Sequence, residues 1–171
     1  LVENYEKVKR ADKSMDEVNI VELVGTVGSG PANDRYDGFR EVLKDYPNFK
    51  ILASQSADFT RAKGKEVMEA FLKAHGDKID VLYGHNDDSA LGYKPGVDII
   101  VVSIDAVRGA FEAMVEGKLN VTVECSPLLG PQLFDAAEDL MMDKKIPKRI
   151  VTQEGVFPME VAEEVLPTRK Y

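Results

Sequence analysis

Short apolar runs of strand-like composition alternate with helix-like segments along most of this 171-residue chain. The strand-like runs, rich in Val, Ile and Leu, are 18–24, 49–53, 79–83 and 98–105. The predicted helices are 34–46, 61–75 and 107–116. The last run is apolar at nearly every position, as expected for a parallel strand covered on both faces. The alternation therefore predicts an α/β fold, a doubly wound parallel sheet with right-handed crossovers.

The connection after the third run is too short for this pattern. A parallel pair usually needs a crossover of about a dozen residues or more, but the helix-like residues after 79–83 end near Gly92 and the next strand begins at 98. Either residues are absent from this chain near Gly92, or the two strands are not parallel neighbours. We favour absent residues.

The regular alternation ends after residue 124. A Pro- and Gly-rich segment at 125–131 interrupts it and suits a crossing point between two lobes. A predicted helix at 132–143 and a predicted strand at 149–153 follow. At the other end, residues 1–13 carry apolar side chains at helical spacing and predict the end of a helix whose beginning is absent.

Charge and composition exclude several classes of function. A formal net charge of -8 argues against a nucleic-acid partner. The single cysteine, Cys125, excludes an internal disulfide, and neither His75 nor His85 has a ligand-spaced partner for a metal. The glycine-rich loop at 25–30 fits neither nucleotide-phosphate pattern. With no grouped acid, base and nucleophile, the sequence predicts a binding protein without cofactor or metal rather than an enzyme.

Candidate ligand contacts stand at the carboxyl ends of the four predicted strands. Arg35 follows the first strand, Phe59 the second and Asn86 the third, and Asp105 ends the fourth. Because the carboxyl ends of parallel strands share one edge and neighbouring strands lie about 4.8 Å apart, these side chains can line one cleft. Guanidinium, amide and carboxylate groups beside an aromatic ring suit a sugar, whose hydroxyls need donors and acceptors and whose C–H faces stack on rings.

Each of these residues also has a purely structural explanation. Arg35 suits the solvent-facing side of a helix and Phe59 suits the core. Asn86 and Asp105 are common helix-capping residues, as are the aspartates at 87 and 88. The sugar hypothesis therefore depends on the set of four and not on any single member.

Six motifs occur in a consistent order along the chain. They are Val-Glu-Leu-Val-Gly-Thr-Val-Gly at 21–28, Asp-Arg-Tyr-Asp-Gly-Phe at 34–39, Leu-Ala-Ser-Gln-Ser-Ala-Asp-Phe at 52–59, His-Asn-Asp-Asp-Ser-Ala-Leu-Gly at 85–92, Val-Ser-Ile-Asp at 102–105 and Thr-Val-Glu-Cys-Ser-Pro at 122–127. Together they resemble the type I periplasmic sugar-binding proteins of ABC importers, the ribose-binding-like family. The details are most similar to its galactofuranose-binding branch.

This resemblance implies a periplasmic-binding-protein-like type I lobe and a chain that is the carboxy-terminal part of a longer family member. Arg35, Asn86 and Asp105 would then hydrogen-bond to sugar hydroxyls, and Phe59 would pack on the sugar. Glu124 would be a further ligand contact beside the hinge, where Cys125 stands in place of the family's frequent glutamine. The implied domains are a sugar-binding lobe at 1–124, a returning segment of the amino-terminal lobe at 125–157 and a tail at 158–171.

By the same resemblance, the function is that of a solute-binding component of a sugar ABC importer. It would close two hinged lobes on a mono- or small oligosaccharide. The expected monosaccharide is a hexose or a pentose, with the furanose ring form among the candidates. The expected partner is an ABC permease in the membrane, and the expected location is periplasmic or extracellular. Attachment to the membrane by a lipid anchor at an absent amino terminus is one way to reach that location. The alternative is the effector domain of a LacI-type transcription regulator, which shares the fold.

Absence of the amino-terminal lobe has two expected consequences. Half of the cleft is lost, so the chain alone is expected to bind sugar weakly or not at all. Apolar side chains that the other lobe would cover are expected to promote self-association. These side chains are Leu128, Leu129, Leu133 and Phe134.

Overall fold

The computed structural model describes residues 17–92 and 99–171 and contains one six-stranded sheet. Its strands are β1 (Val18–Val24), β2 (Phe49–Ser56), β3 (Val81–Gly84), β4 (Ile100–Asp105), β5 (Val121–Glu124) and β6 (Val156–Pro158). The strand order is β2-β1-β3-β4-β5-β6, in which the first five strands are parallel and β6 is antiparallel to β5. The predicted α/β fold is confirmed. The predicted helix end at 1–13 lies outside the described residues.

Helices cover both faces of the sheet. They are α1 (Gly30–Leu43), α2 (Arg61–His75), α3 (Asp87–Leu91), α4 (Arg108–Val115), α5 (Gly130–Met141) and α6 (Ala162–Val165), with 3-10 turns at Gly76–Lys78, Met159–Val161 and Leu166–Thr168. The predicted start of α1 at residue 34 is wrong because Ser29 caps the helix, accepting from the backbone N–H of Ala32, and Pro31 suits the first turn.

The core is divided into two layers by the sheet. Because successive strand side chains point to opposite faces, β1 sends Val21 and Leu23 to one face and Ile20 to the other. The first face is covered by α2 and α4, whose Met68, Phe71, Phe111 and Met114 are buried against it. On the second face, Phe39 and Leu43 of α1 pack against the sheet. This two-sided cover explains the apolar composition of the central strands.

Strands β3 and β4 are parallel neighbours, with Val81 opposite Ile100. The alternative explanation of the short connection, that these two strands are not parallel neighbours, is therefore wrong. Residues 85–99 connect them, and α3 is the helix that the structure describes in this connection. The stretch at 93–98, where we expect residues to be absent, lies outside the described residues, so that expectation stays a prediction.

The predicted strand at 149–153 is wrong. These residues have no regular secondary structure, and the strand of this region is β6, at 156–158. A β-favouring run becomes a strand when a neighbour pairs with its backbone. Among the described residues, β5 offers its free edge to 156–158, and no strand lies beside 149–153.

Residues 125–155, which we call the excursion, leave the sheet after β5 and return at β6. The excursion contains α5, in which no residue is buried. After β6 the chain packs again on the sheet layer, where Ala162 is buried and Phe157, Val165 and Leu166 lie against the cluster that contains α4. The predicted domain boundaries at 124 and 157 stay a prediction. In the structure the chain leaves the sheet after residue 124 and returns to it at residue 156.

Candidate functional site

The four predicted contacts at the strand ends lie together at the carboxyl edge of the sheet. Arg35, in α1, donates from Nη2 to Oδ1 of Asp105 at 2.9 Å and from Nη1 to the backbone carbonyl of His85. Its guanidinium carbon lies 5.7 Å from the centroid of the Phe59 ring. The amide of Asn86 donates to the carbonyl of Phe59 at 3.1 Å. Arg35, Phe59, Asn86 and Asp105 thus form one cluster, which we call the strand-end cluster.

Asn86 is also the N-cap of α3. Its Oδ1 atom accepts from the backbone N–H of Ser89 at 3.1 Å, so the predicted capping contact of this residue is confirmed. Capping by Asp87 or Asp88 is wrong, because both lie inside the first turn of the helix. One N–H of the Asn86 amide and one lone pair of its oxygen have no partner among the described residues. The cap therefore fixes the side chain in place and leaves it able to donate and accept.

The backbone around the strand-end cluster is strained. Four of the five non-glycine residues with positive φ in the described part of the chain belong to this cluster or adjoin a member of it: Asp58 at 52°, Phe59 at 56°, Asp105 at 120° and Ala106 at 57°. Such conformations cost about 1–3 kcal/mol each and persist when the surroundings hold them. The positions of the Phe59 ring and the Asp105 carboxylate therefore depend on strained backbone at the ends of β2 and β4. Strained backbone of this kind is often found at functional sites.

The Phe59 ring depends on a glycine at the end of β1. A Cβ atom on residue 25 would lie 2.0 Å from Cζ of Phe59, so a side chain on Gly25 would displace the ring. The glycine-rich loop that the sequence shows after β1 thus gives the ring its place beside Arg35.

The strand-end cluster retains unused hydrogen-bonding groups. Several N–H groups of the Arg35 guanidinium and the Oδ2 atom of Asp105 have no partner among the described residues. Arg35 and Asp105 are 14% and 27% exposed in their side chains, so the pair is shielded from solvent but still reachable. Burial raises the pKa of Asp105 above its ordinary value, against the lowering effect of Arg35. The set offers donors, an acceptor and an aromatic face to one ligand.

Asp87 is a buried carboxylate that sequence reasoning missed. Its Oδ2 accepts from the backbone N–H of Val107 at 2.8 Å, and its Oδ1 accepts from the hydroxyls of Thr122 and Ser103. The Thr122 hydroxyl also accepts from the N–H of Ala106. Burial raises the pKa of Asp87 to about 6, although these hydrogen bonds lower it. Asp87 therefore supports the strained turn that carries Asp105.

Glu22 is a second missed carboxylate, fully buried in β1. Arg40 of α1 donates to both of its oxygens, at 2.9 and 2.6 Å, and Ser54 and His85 complete its contacts. Burial alone would raise its pKa, but these partners lower it to about 2. An acid within the apolar run Val-Glu-Leu was the available signal, since a buried charge needs a partner. The pair holds α1, and with it Arg35, against the sheet.

Glu124 does not join the strand-end cluster. It stands opposite Asp105 in the β4–β5 register, but its carboxylate contacts other residues. Oε1 accepts from Arg169 at 2.8 Å and from the Tyr171 hydroxyl at 2.7 Å, and Oε2 accepts from the N–H of Gly155 at 3.2 Å. Burial would raise the pKa of Glu124, but the donors hold it below its ordinary value. A ligand contact at Glu124 stays a prediction.

The described residues 17–92 and 99–171 contain no group of three or more His, Cys, Asp or Glu side chains arranged to hold a metal ion. None of their helices combines the length and the hydropathy that crossing a membrane requires. Cys125 is exposed and unpaired by a disulfide.

Comparison with known proteins identifies related sequences. A family model described as a periplasmic binding protein domain matches residues 6–145. The galactofuranose-binding protein YtfQ of Escherichia coli K12 is 43% identical over 164 residues, which cover 89% of this chain and 52% of that protein. The ribose import binding protein RbsB of Bacillus subtilis is 35% identical over 146 residues, covering 82% of this chain and 47% of that protein. The chain spans about half the length of these curated relatives.

Solved structures agree with the sequence relatives. A crystal structure of a galactofuranose-binding protein superposes with a TM-score of 0.84 at 40% identity, covering 97% of this chain and 58% of that one. The periplasmic binding protein of an arabinose ABC transporter from Shewanella sp. ANA-3, bound to α- and β-L-arabinofuranose, has a TM-score of 0.84 at 40% identity. It covers 99% of this chain and 58% of that one.

Proposed function

The chain belongs to the periplasmic binding protein domain family, and we propose that it is the carboxy-terminal sugar-contacting lobe of a solute-binding protein that serves a sugar ABC importer. The observation that carries this proposal is the strand-end cluster. Four side chains from four different chain segments converge on one edge of a parallel sheet, where ligands of such sheets bind.

The chemistry of the strand-end cluster favours a neutral, hydroxyl-rich ligand. Arg35 and Asp105 already neutralise each other, so the site carries no unbalanced charge for an anion or a cation. The unused N–H groups and the free carboxylate oxygen can hydrogen-bond to adjacent hydroxyls, and the Phe59 ring offers a surface for C–H groups. A monosaccharide combines these properties, and the cluster contains no acid, base and nucleophile in reactive arrangement.

A furanose sugar is the ligand that the relatives favour. The curated relative with 43% identity is named for galactofuranose, and a solved neighbour at 40% identity holds arabinofuranose. Ribose-binding proteins are more distant, at 35% identity or less. We therefore place hexoses and pentoses in furanose form first among the candidate ligands of this chain.

Transport is proposed from the same relatives. Several are import binding proteins by name, which supports an ABC permease as the partner and the periplasm as the location. The proposed location includes attachment to the membrane by a lipid anchor. The LacI-type effector domain remains the alternative, and nothing in the strand-end cluster favours it over an import receptor.

A thermal-shift experiment on a two-lobed form tests the proposal. In this form the amino-terminal lobe of the E. coli galactofuranose-binding protein precedes residues 1–171, so that both sides of the cleft are present. At a hundredfold excess over Kd, galactofuranose or arabinofuranose should raise Tm by about 5 °C or more. The 171-residue chain alone should show a much smaller shift because half of the contacts are absent.

Three variants assign the shift to the strand-end cluster. Arg35→Ala should abolish it, because the guanidinium contacts are lost. Asn86→Asp keeps a capping oxygen for α3 but loses the amide donors, so it should reduce the shift without unfolding the helix. Arg108→Ala, an exposed arginine outside the cluster, should leave the shift unchanged.

Two results would contradict the proposal. One is a two-lobed form that melts cooperatively but responds to no pentose or hexose in either ring form. The other is a sugar response that Arg35→Ala and Asn86→Asp leave intact. A millimolar or tighter sugar affinity of the 171-residue chain alone would contradict the expectation that half of the cleft is missing.

A further inference from the structure

The excursion is joined to the sheet by two adjacent chain segments, 124–126 and 154–156, which we call the neck. The N–H of Glu124 donates to the carbonyl of Gly155 at 2.8 Å, and the N–H of Ser126 donates to Oε1 of Glu154 at 2.8 Å. The Glu124 side chain adds a third link, from its Oε2 atom to the N–H of Gly155. Glu124 therefore holds the outgoing and returning segments of the neck together.

Arg169 connects Glu124 to the strained turn at Asp105 and Ala106. Its Nη2 atom lies 2.7 Å from the carbonyl oxygen of Ala106 and 2.8 Å from Oε1 of Glu124. Its side chain is 9% exposed. One guanidinium group thus contacts a turn of the strand-end cluster and the neck.

Aromatic rings fix the position of Arg169. Its guanidinium carbon lies 5.1 Å from the ring centroid of Phe111, 5.3 Å from that of Phe157 and 4.7 Å from that of Tyr171. The Tyr171 hydroxyl donates to the same Glu124 oxygen at 2.7 Å. A planar, always charged group stacked among rings is well ordered, which suits a residue that must hold two acceptors at once.

The turn at Asp105 needs such support. Asp105 and Ala106 are consecutive non-glycine residues with positive φ. Thr122 accepts from the N–H of Ala106, and Asp87 accepts from the N–H of Val107, but the carbonyl of Ala106 is held by Arg169. Releasing this carbonyl would let the turn relax and move the Asp105 carboxylate away from Arg35.

We propose that Arg169 is a positioning residue that couples the Asp105 contact of the strand-end cluster to the neck of the excursion. A ligand that restrains Asp105 then also restrains Glu124 and Gly155 through Arg169. Because such coupling is reciprocal, a change in the position of the neck changes the affinity for a ligand that contacts Asp105. The inference rests on the proposed function for its ligand. The link itself exists without ligand, so it is tested separately.

Amide hydrogen exchange in the ligand-free 171-residue chain tests the link. Arg169→Met keeps an unbranched side chain of related length and removes the donors. It should accelerate exchange at Ala106 on the turn and at Gly155 on the neck by about tenfold or more, because both lose a hydrogen-bonded support. Exchange at Leu82, in the centre of the sheet, should not change. Arg108→Met, the same substitution at an exposed position, should alter none of these amides.

Two milder variants separate the two sides of the link. Tyr171→Phe removes a hydroxyl that donates to Glu124 and accepts from Arg169, but it keeps the contacts of Arg169 with Ala106 and Glu124. Gly155 should therefore exchange faster and Ala106 should not. Arg169→Lys keeps the charge and N–H donors but lacks the planar guanidinium that lies among the rings, so both amides should change less than in Arg169→Met. Unchanged amides in Arg169→Met, acceleration on one side alone, or equal acceleration at Leu82 would each overturn the link.

The two-lobed form then measures the coupling to ligand. Saturating galactofuranose or arabinofuranose should slow exchange at Gly155 in the parent protein but not in Arg169→Met, and Arg169→Met should weaken sugar binding by about tenfold. Sugar binding that is unaffected by Arg169→Met would overturn the coupling and leave the receptor function intact. Absence of sugar binding in the parent would overturn the receptor function, while the ligand-free exchange result still decides the link.

Discussion

Helices α4 and α5 follow neighbouring strands and have similar amphipathic sequences, but they differ completely in burial. Half of the residues of α4 are buried, namely Ala110, Phe111, Ala113 and Met114. In α5 no residue is buried, and Leu133, Phe134 and Met141 are 67%, 70% and 86% exposed. An amphipathic pattern thus shows that a helix has a face to cover, and the rest of the fold decides whether a cover is present.

The difference has an energetic consequence. Burying a large apolar side chain contributes about 1.5–3 kcal/mol relative to leaving it exposed. α4 gains this stabilisation from the sheet, whereas α5 keeps several apolar side chains in water. Leu128, Leu129 and Val151, elsewhere in the excursion, are exposed as well. The packed region therefore carries the stability of the chain, and the excursion carries surface that is suited to association.

Matched phenylalanine truncations test this comparison with the largest expected effect. Phe111→Ala, in α4, removes a ring with 0% exposure and should lower the free energy of unfolding by about 3–5 kcal/mol. Phe134→Ala, in α5, removes a ring with 70% exposure and should change it by less than about 0.5 kcal/mol. Urea denaturation measures both values. Equal losses would show that the excursion is packed as tightly as the sheet layer.

The pH dependence of stability should distinguish the two regions next. In the folded state the pKa of Asp87 is raised from 3.8 to about 6, so between these values the unfolded chain binds fewer protons and stability falls as pH rises. Glu22, whose pKa is lowered to about 2, contributes stability that is present above pH 4.5 and is lost only in more acidic solution. From pH 4.5 to pH 7 we therefore expect Asp87 to destabilise the fold by about 2 kcal/mol.

Asn substitutions isolate this contribution. Asp87→Asn should remove most of the decline between pH 4.5 and pH 7 and leave the part that Asp105, whose pKa is also raised, contributes. Asp135→Asn, on the exposed surface of α5, should retain the full decline. Urea denaturation at a series of pH values measures the difference. A decline of equal size in the Asp87→Asn variant would assign it to another group.

Self-association should show the smallest effect. If the excursion associates with a second copy, the double variant Leu133→Lys/Phe134→Lys should raise the dissociation constant by at least about tenfold. Val27→Lys, which changes an 81% exposed valine outside the excursion, should leave it unchanged. Sedimentation velocity over a range of concentrations measures both. A chain that stays monomeric at every concentration would contradict the prediction.

Much of the strand-end cluster was predictable from the sequence because it depends on local order. Arg35, Phe59 and Asn86 follow recognisable strands and Asp105 ends one, and the parallel topology brings strand ends to one edge. The supporting role of Asp87 was not predictable, because an aspartate inside a helix turn gives no sign of the buried hydroxyls that contact it. Glu22 did carry a signal, its place within an apolar run, but its partners lie far away in sequence. The strand predicted at 149–153 failed for a related reason, since local β propensity cannot supply a pairing partner.

The sequence by itself determined the α/β class, the order of the elements from β1 to α4 and the edge of the sheet at which the strand-end cluster forms, because hydrophobic periodicity and chain order are local properties. The tertiary structure alone decided which partners hold the buried carboxylates. It paired Glu22 with Arg40, placed Asp87 beneath the turn at Asp105, and joined Arg169 to Glu124 across 45 residues of chain. These contacts depend on distances between segments remote in sequence, and only the packed chain fixes such distances.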